Sequence, residues 1–407
     1  MGTDNLSRRA FLTGVAATAA TVTIVPRHCL GGPGQTAPSD TFGAALIGCG
    51  GRGGGTFGGL GPNVKRLADC DVKFLDKADN KKVYSDFRRV LERKDIDMVA
   101  IATPPHWHAL ISIAAMQAGK DVLCEKPMTR FIAEGRAVIE AEKRYGRVYQ
   151  IGTYGRFGAS HDRNSILTRK IIKSGLLKQC KGVHFKRGDF KVKEWSGKVN
   201  LQPQPIPKNL DWDMYCGPSP FKPYNVDRTG GRHRGYWDYE GGGLADMGQH
   251  HWEGPCWTYG KDETSPVEIE AYGAPAHPEA CGMWGWVEHR FADGMTFVFA
   301  SGEWGEPYNR LQQRGVTLED LDPDDRKKVL AMPDDPPLIS FEEAVKTRKP
   351  AGGSSWTSHR TATLLHLSNI AIRIGRKLRY DPDKQEIVGD EEANRLVNQP
   401  MRAPWHL

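Results

Sequence analysis

Residues able to cradle a phosphate or move a proton gather at three places in this 407-residue chain. The first is "AALIGCGGRGGG" (44–55), an apolar run ending in Gly48-x-Gly50-x-x-Gly53, with Gly51 and Arg52 between the outer glycines. After a strand and at the start of a helix, such glycines permit a tight turn and let the backbone approach a pyrophosphate, whose charge sits at the helix N-terminus. Asp71, eighteen residues past Gly53, is placed to accept hydrogen bonds from a ribose diol and to repel a 2′-phosphate. That favours NAD, while Lys73 and Lys77 close by leave NADP open. The second place is Lys126, within Glu125-Lys126-Pro127. The third is "GGGLADMGQHHWE" (241–253), where Asp246 and His250 are four apart and so share one face if the segment is helical. Oxidising a secondary alcohol needs a base for the hydroxyl proton and a cation for the developing alkoxide, and an imidazole and an ammonium are groups of those kinds. His251 faces about 100° away from His250 on such a helix and reads as structural. No HxxxH or further clustered carboxylate completes a metal site around Asp246, His250 and His251, so no metal is expected.

These groups need elements to hold them. Ala44–Gly48, "DMVAIATP" (97–104), "DVLCEKP" (121–127) and "VYQIGT" (148–153) are apolar runs of strand length. Between them, "HALISIAAMQAGK" (108–120) and "RFIAEGRAVIEAEKRYG" (130–146) have helical spacing and end near glycine. The alternation predicts a doubly wound parallel sheet over residues 42–152. Lys126 then follows a strand at the carboxyl edge, where such sheets bind ligands, and a cis bond before Pro127 fits the turn. From residue 153 the texture changes. "VHFKRGDFKV" (183–192) and "VEIEAYG" (267–273) alternate with period two, and "WGWVEHRFADGMTFVFASG" (284–302) predicts a hairpin turning at Ala292-Asp293-Gly294. Residues 153–407 are expected to form an α+β domain with an open, mainly antiparallel sheet. Within it, 354–378 reads as one long amphipathic helix and 321–337 as an exposed loop.

Three stretches carry a resemblance. "ATPPHWHALISIAAMQAGKDVLCEKP" (102–127), "GGGLADMGQHHWE" (241–253) and "EEANRLVNQPMRAPWHL" (391–407) resemble the Gfo/Idh/MocA family of sugar and inositol oxidoreductases. The resemblance runs from about Phe42 to the C-terminus and implies a Rossmann domain followed by a sugar-binding domain that oligomerises through its sheet, hence a dimer or tetramer. It also implies that Lys126 points at the reacting hydroxyl and that His250 accepts the proton. Asp246 would hold a substrate hydroxyl or orient the imidazole. Thr103, Pro104, His106, His108 and Glu125 would join the cofactor set, with the loop 105–108 flanking the nicotinamide and His108 also suited to starting a helix. Tyr154, Arg156, Trp212, Tyr215, Arg234, Tyr236, Trp237 and Tyr239 are candidates for the sugar pocket, since aromatic faces suit the C–H faces of a pyranose and Arg and Tyr suit its hydroxyls.

Bulk composition and the N-terminus set the setting. A net charge of +7 spread along the chain, with no basic run interleaved with aromatics, argues against nucleic-acid binding. The eight cysteines have no paired spacing, so no disulfide framework is expected. Ser7-Arg8-Arg9-Ala10-Phe11-Leu12 is a twin-arginine pattern, followed by a small-residue run from Thr13 to Val25 too short for a comfortable membrane span. Residues 1–30 are therefore expected to be an export signal and 31–41 a linker, placing the protein in the periplasm or outside the cytoplasm. That route carries folded cargo, so the cofactor is expected to travel tightly bound. Three functions follow: a sugar oxidoreductase with held NAD or NADP, a glycosidase working by oxidation, elimination and re-reduction, or a sugar-binding protein without activity.

Overall fold

The computed structural model describes residues 41–73, 82–176, 182–186, 188–311 and 315–407. The twin-arginine pattern, the linker through residue 40 and Lys77 lie outside them. Two sheets share one compact unit from Gly43 to the C-terminus.

The first sheet is built from β1 (Phe42–Ile47), β2 (Val64–Cys70), β3 (Lys82–Tyr84), β4 (Met98–Ile101), β5 (Asp121–Cys124) and β6 (Tyr149–Ile151). All pairings are parallel and the order is β3-β2-β1-β4-β5-β6. The inner strands are apolar on both faces because helices cover both; all four residues of β4 are buried. This is a doubly wound fold whose order changes direction beside β1, the place where such sheets bind ligands.

The second sheet contains β7 (Gly182–Lys186), β8 (Glu268–Gly273), β9 (Trp284–Arg290), β10 (Thr296–Ala300), β11 (Leu378–Asp381) and β12 (Glu386–Ile387), in the order β12-β11-β8-β9-β10-β7. It is mostly antiparallel, with one parallel pair, β10 with β7. The β9–β10 hairpin turns where the spacing predicts, with Gly294 at φ 86°, a left-handed turn position that favours glycine.

Two expectations are corrected. The helix Ser355–Ile374 is buried nearly all round, rather than amphipathic, because it is wedged among the helices Ile132–Tyr145 and Gly242–Thr258 and strand β8. Two of its buried hydroxyls bond within the helix: Thr363 Oγ1 donates to the His359 carbonyl at 2.8 Å and Ser368 Oγ to the Leu364 carbonyl at 2.7 Å. The stretch 321–337 is not all loop. Asp322 accepts hydrogen bonds from the amides of Asp324 and Asp325, Pro323 takes the first helical position, and a helix runs Pro323–Ala331. Among the described residues, no helix is long and apolar enough to cross a membrane.

Candidate active site

The glycine turn begins as the sequence predicts. Gly48 leaves β1 at φ 91°, and a Cβ there would lie 2.5 Å from the Ala102 carbonyl carbon and the Thr103 nitrogen. A Cβ on Gly53 would lie 2.6 Å from the Gly48 carbonyl oxygen. Both glycines are demanded by the chain's own packing. Gly50 and Gly51 are different: nothing of the protein comes within 4 Å of a Cβ built on either, and both line a cavity of about 660 Å³. A cradle left bare by the protein, at the switch point of a doubly wound sheet, fits a pyrophosphate. Asp71 closes the turn from β2. Its Oδ2 accepts from the Cys49 amide at 2.8 Å and its Oδ1 from the Lys73 amide at 2.9 Å, and the carboxylate borders the cavity. Arg52 pairs with Glu125 at 2.8 Å, and Thr56 Oγ1 donates to the same carboxylate at 2.8 Å, which ties the turn to the end of β5.

Lys126, Asp246 and His250 line the same cavity. Lys126 follows β5 through a cis bond to Pro127, and its Nζ donates to Asp246 Oδ1 at 2.6 Å and to the Asp246 carbonyl at 2.8 Å. That leaves one N–H of the ammonium for a ligand. Asp246 and His250 lie one turn apart on the helix Gly242–Thr258. Gly243 presses the start of that helix onto the Phe190 carbonyl, which a Cβ would strike. Arg234 Nε approaches Asp246 Oδ1 to 2.8 Å. Burial alone would raise the Asp246 carboxyl, but Lys126 and Arg234 outweigh it and hold the group at about 2. His250 is lowered to about 4, first by burial and then by the nearby Lys126 ammonium, so its imidazole is neutral at neutral pH. Its Nδ1 lies 3.0 Å from Thr153 Oγ1, and its Nε2 has no hydrogen-bond partner among the described residues. With Thr153 accepting from Nδ1–H, the Nε2 lone pair is left to take a proton.

Comparison with known proteins fits this geometry. A model of the oxidoreductase family's C-terminal alpha/beta domain matches residues 163–407, and one of the same family's NAD-binding Rossmann fold matches residues 60–153. The chain belongs to the Gfo/Idh/MocA oxidoreductase family. The Rossmann match starts beyond the glycine turn, so that turn is supported by its stereochemistry alone. An inositol 2-dehydrogenase of Salmonella typhimurium is 36% identical over 129 residues, covering 30% of this chain and 37% of the relative. The chain thus spans little more than a third of the length of that curated relative. Two solved structures share the fold. Levoglucosan dehydrogenase in complex with NADH and levoglucosan aligns with a TM-score of 0.51 at 17% identity, covering 83% of this chain and 99% of that one. The WlbA dehydrogenase of Bordetella pertussis, in complex with NADH and UDP-GlcNAcA, aligns at 0.53 and 16%, covering 84% and 99%.

Within this Gfo/Idh/MocA chain, one cavity is lined by Gly48, Gly50, Gly51, Arg52, Asp71, Thr103 and Pro104 together with Glu125, Lys126, Tyr215, Arg234, Asp246 and His250. Several candidates are corrected. His106 is buried with Nε2 2.8 Å from the Tyr215 carbonyl, and His108 is fixed between the carbonyls of Pro127 and Thr103 at 2.7 and 2.8 Å. Both are held by backbone oxygens and neither borders the cavity. Arg156 is buried against Asp262 and Glu253 and does not border the cavity. Tyr154 is half exposed and packs on Gly59, outside the cavity. Trp212, Tyr236 and Tyr239 pack in an aromatic cluster behind Tyr215 and do not border the cavity themselves, and Trp237 donates its indole N–H to the His277 carbonyl at 2.9 Å. Asp246 does not orient the imidazole either: Thr153 does. Of the loop 105–108 expected beside the nicotinamide, Pro105 and Trp107 do border the cavity; Thr153 and the lining residues Lys191, Trp195, His233 and Glu240 carried no motif that could have flagged them.

Proposed function

We propose that this chain is an oxidoreductase that moves hydride between a secondary hydroxyl of a sugar or glycoside and a nicotinamide dinucleotide held in the cavity. The carrying observation is that the bare glycine cradle and the Lys126–Asp246–His250 group border one cavity. Gly50, Gly51, Arg52 and Asp71 would hold the dinucleotide, and Asp71 favours NAD over NADP through its carboxylate at the ribose end. When bound, the nicotinamide supplies the hydride acceptor. The protein supplies the rest. His250 Nε2 takes the hydroxyl proton, and Thr153 keeps the ring in the tautomer that can do so. The free N–H of Lys126 meets the developing alkoxide, and Asp246 with Arg234 keeps that ammonium in place. An inositol relative and solved relatives holding NADH with levoglucosan or UDP-GlcNAcA support a carbohydrate substrate. Lys126 and Arg234 reach Asp246, Arg234 and His233 lie by Glu240, and Lys191 pairs with Glu194. With each cation matched, an uncharged sugar suits these residues better than a sugar phosphate.

The twin-arginine pattern Ser7–Leu12 supports an exported enzyme that carries its cofactor with it and runs a cycle without net redox change. Either a second carbonyl compound is reduced, or a glycoside is oxidised, eliminated and reduced back. To test this, the protein is purified without added nucleotide, the bound nucleotide is extracted, and polyols and chromogenic glycosides are supplied. Nucleotide reduction by a polyol, lost in Lys126→Ala and His250→Ala, supports the oxidoreductase. Aglycone release without net reduction supports the eliminating cycle, and sugar binding with no reduction in the wild type overturns both. Fractionation of producing cells tests export, with Arg8→Lys/Arg9→Lys expected to retain the protein in the cytoplasm.

A further inference from the structure

The last residues of the chain touch the cavity from behind. Trp107 and Phe87 line it, beside Val72, Ile111 and Met214, and form an apolar end next to Asp71. Trp405 packs edge-on to Trp107 with ring centres 4.8 Å apart and tilted against Phe87 at 6.3 Å. Phe87 and Trp107 themselves meet edge-on at 5.6 Å, so the three rings brace one another. Arg88, at the start of the helix Phe87–Leu91, sits over the outer side of Trp405 at 5.1 Å. Three residues before Trp405, Arg402 grips the adjoining segment 213–218. Its Nε donates to the Gly217 carbonyl at 2.9 Å, its guanidinium to the Asp213 carboxylate at 2.6 Å and carbonyl at 2.9 Å, and its amide to the Pro218 carbonyl at 2.9 Å. Asp213 and Gly217 flank Met214 and Tyr215, both on the cavity wall. Gly217, at φ 51°, lies so close to the Trp107 ring that a Cβ would overlap it.

We infer that Arg402 and Trp405 are positioning residues for the base end of the nucleotide: the C-terminal strap sets how tightly the protein holds its cofactor. This rests on the nucleotide reading above. The strap ties a wall of the parallel-sheet half, Phe87 and Trp107, to a wall of the other half, Met214 and Tyr215. A flat heteroaromatic base entering beside Asp71 meets rings that Trp405 keeps upright. Trp405 does not border the cavity, so its effect is on the shape of the wall and not on the reacting atoms.

The test measures Kd for NADH, AMP and nicotinamide mononucleotide on the full chain, together with kcat and both KM values. In Trp405→Ala, NADH and AMP bind about tenfold more weakly, consistent with losing edge-to-face aromatic support. Nicotinamide mononucleotide binding, sugar KM and kcat at saturating NAD stay within about twofold. Trp405→Phe restores AMP binding, because it keeps the ring edge. Should Trp405→Ala fold poorly, Arg402→Lys gives the same comparison, since an ammonium cannot make the forked contact. The inference is overturned if a folded variant binds AMP as the wild type does. It is overturned equally if AMP, mononucleotide and sugar weaken together. If the wild type binds no nucleotide at all, the reading beneath the inference fails instead.

Discussion

Lys126 makes two of its three hydrogen bonds to Asp246, so its remaining N–H has one direction in which to act. Lys126→Met is expected to lower kcat/KM by about 10²- to 10³-fold, the usual loss for one preorganised donor to a developing oxyanion. Lys126→Arg is expected to fare little better, because a guanidinium fork does not fit a point-charge site. Steady-state kinetics at saturating nucleotide checks both. Burial and then the Lys126 ammonium hold the His250 imidazole down at about 4, so it is unprotonated well below neutrality. kcat/KM is expected to stay level from about pH 8 to about pH 5 and to fall only as pH drops towards 4; His250→Asn removes that limb and about 10²-fold or more of the rate. A limb near pH 6.5 would instead show an unshifted imidazole. Lys126, Asp246 and His250 were legible because their types and spacing suit proton transfer and a strand end or a helix face brings them together. Arg156, Tyr236 and Trp237 were not: being aromatic or basic does not say which side of a segment faces the cavity, and all three are packed into the interior.

At the scale of the element, the glycine turn separates folding from binding. Gly48→Ala puts a methyl group 2.5 Å from backbone at a positive φ and is expected to cost more than about 3 kcal/mol, read as a large loss in Tm. Gly50→Ala meets no protein atom within 4 Å. It is expected to fold with Tm nearly unchanged and to weaken nucleotide binding at least about tenfold by titration, since the new methyl enters the pyrophosphate cradle. Equal nucleotide affinity in Gly50→Ala would place the phosphates elsewhere. The parallel sheet was readable from apolar runs alternating with helical spacing, because strands covered on both faces cannot hide their composition. The segment 321–337 was harder. Its four prolines and five aspartates look like loop, yet Asp322 and Pro323 are also the residues that start a helix. Likewise the pattern of Ser355–Ile374 shows polar residues on every side, and only the internal hydrogen bonds explain how they are buried.

For the whole molecule, buried histidines contribute to the acid response. Burial lowers His289 and His359 to about 4, and His106 is pushed down as well. Each is neutral in the fold and binds a proton more readily when unfolded. Their contribution is therefore fully present above about pH 6.5 and is lost as pH falls towards about 4, by up to about 3 kcal/mol for each of His289 and His359. Melting temperature measured across that window should fall steadily; a flat profile would contradict buried neutral rings. The family resemblance also points to a homo-oligomer, so scattering is expected to give two or four times the 45.2 kDa chain mass, and a monomer would refute that.

The central claim is that a pyridine nucleotide rests over the end of β1 while Lys126 and His250 handle the proton of a sugar alcohol. Quantitative mass analysis of nucleotide extracted from the folded chain, followed by titration of the emptied protein, is the deciding measurement. NAD is expected to be recovered and to rebind tightly, with weaker rebinding in Gly50→Ala. No affinity for NAD or NADP in the folded chain would contradict it.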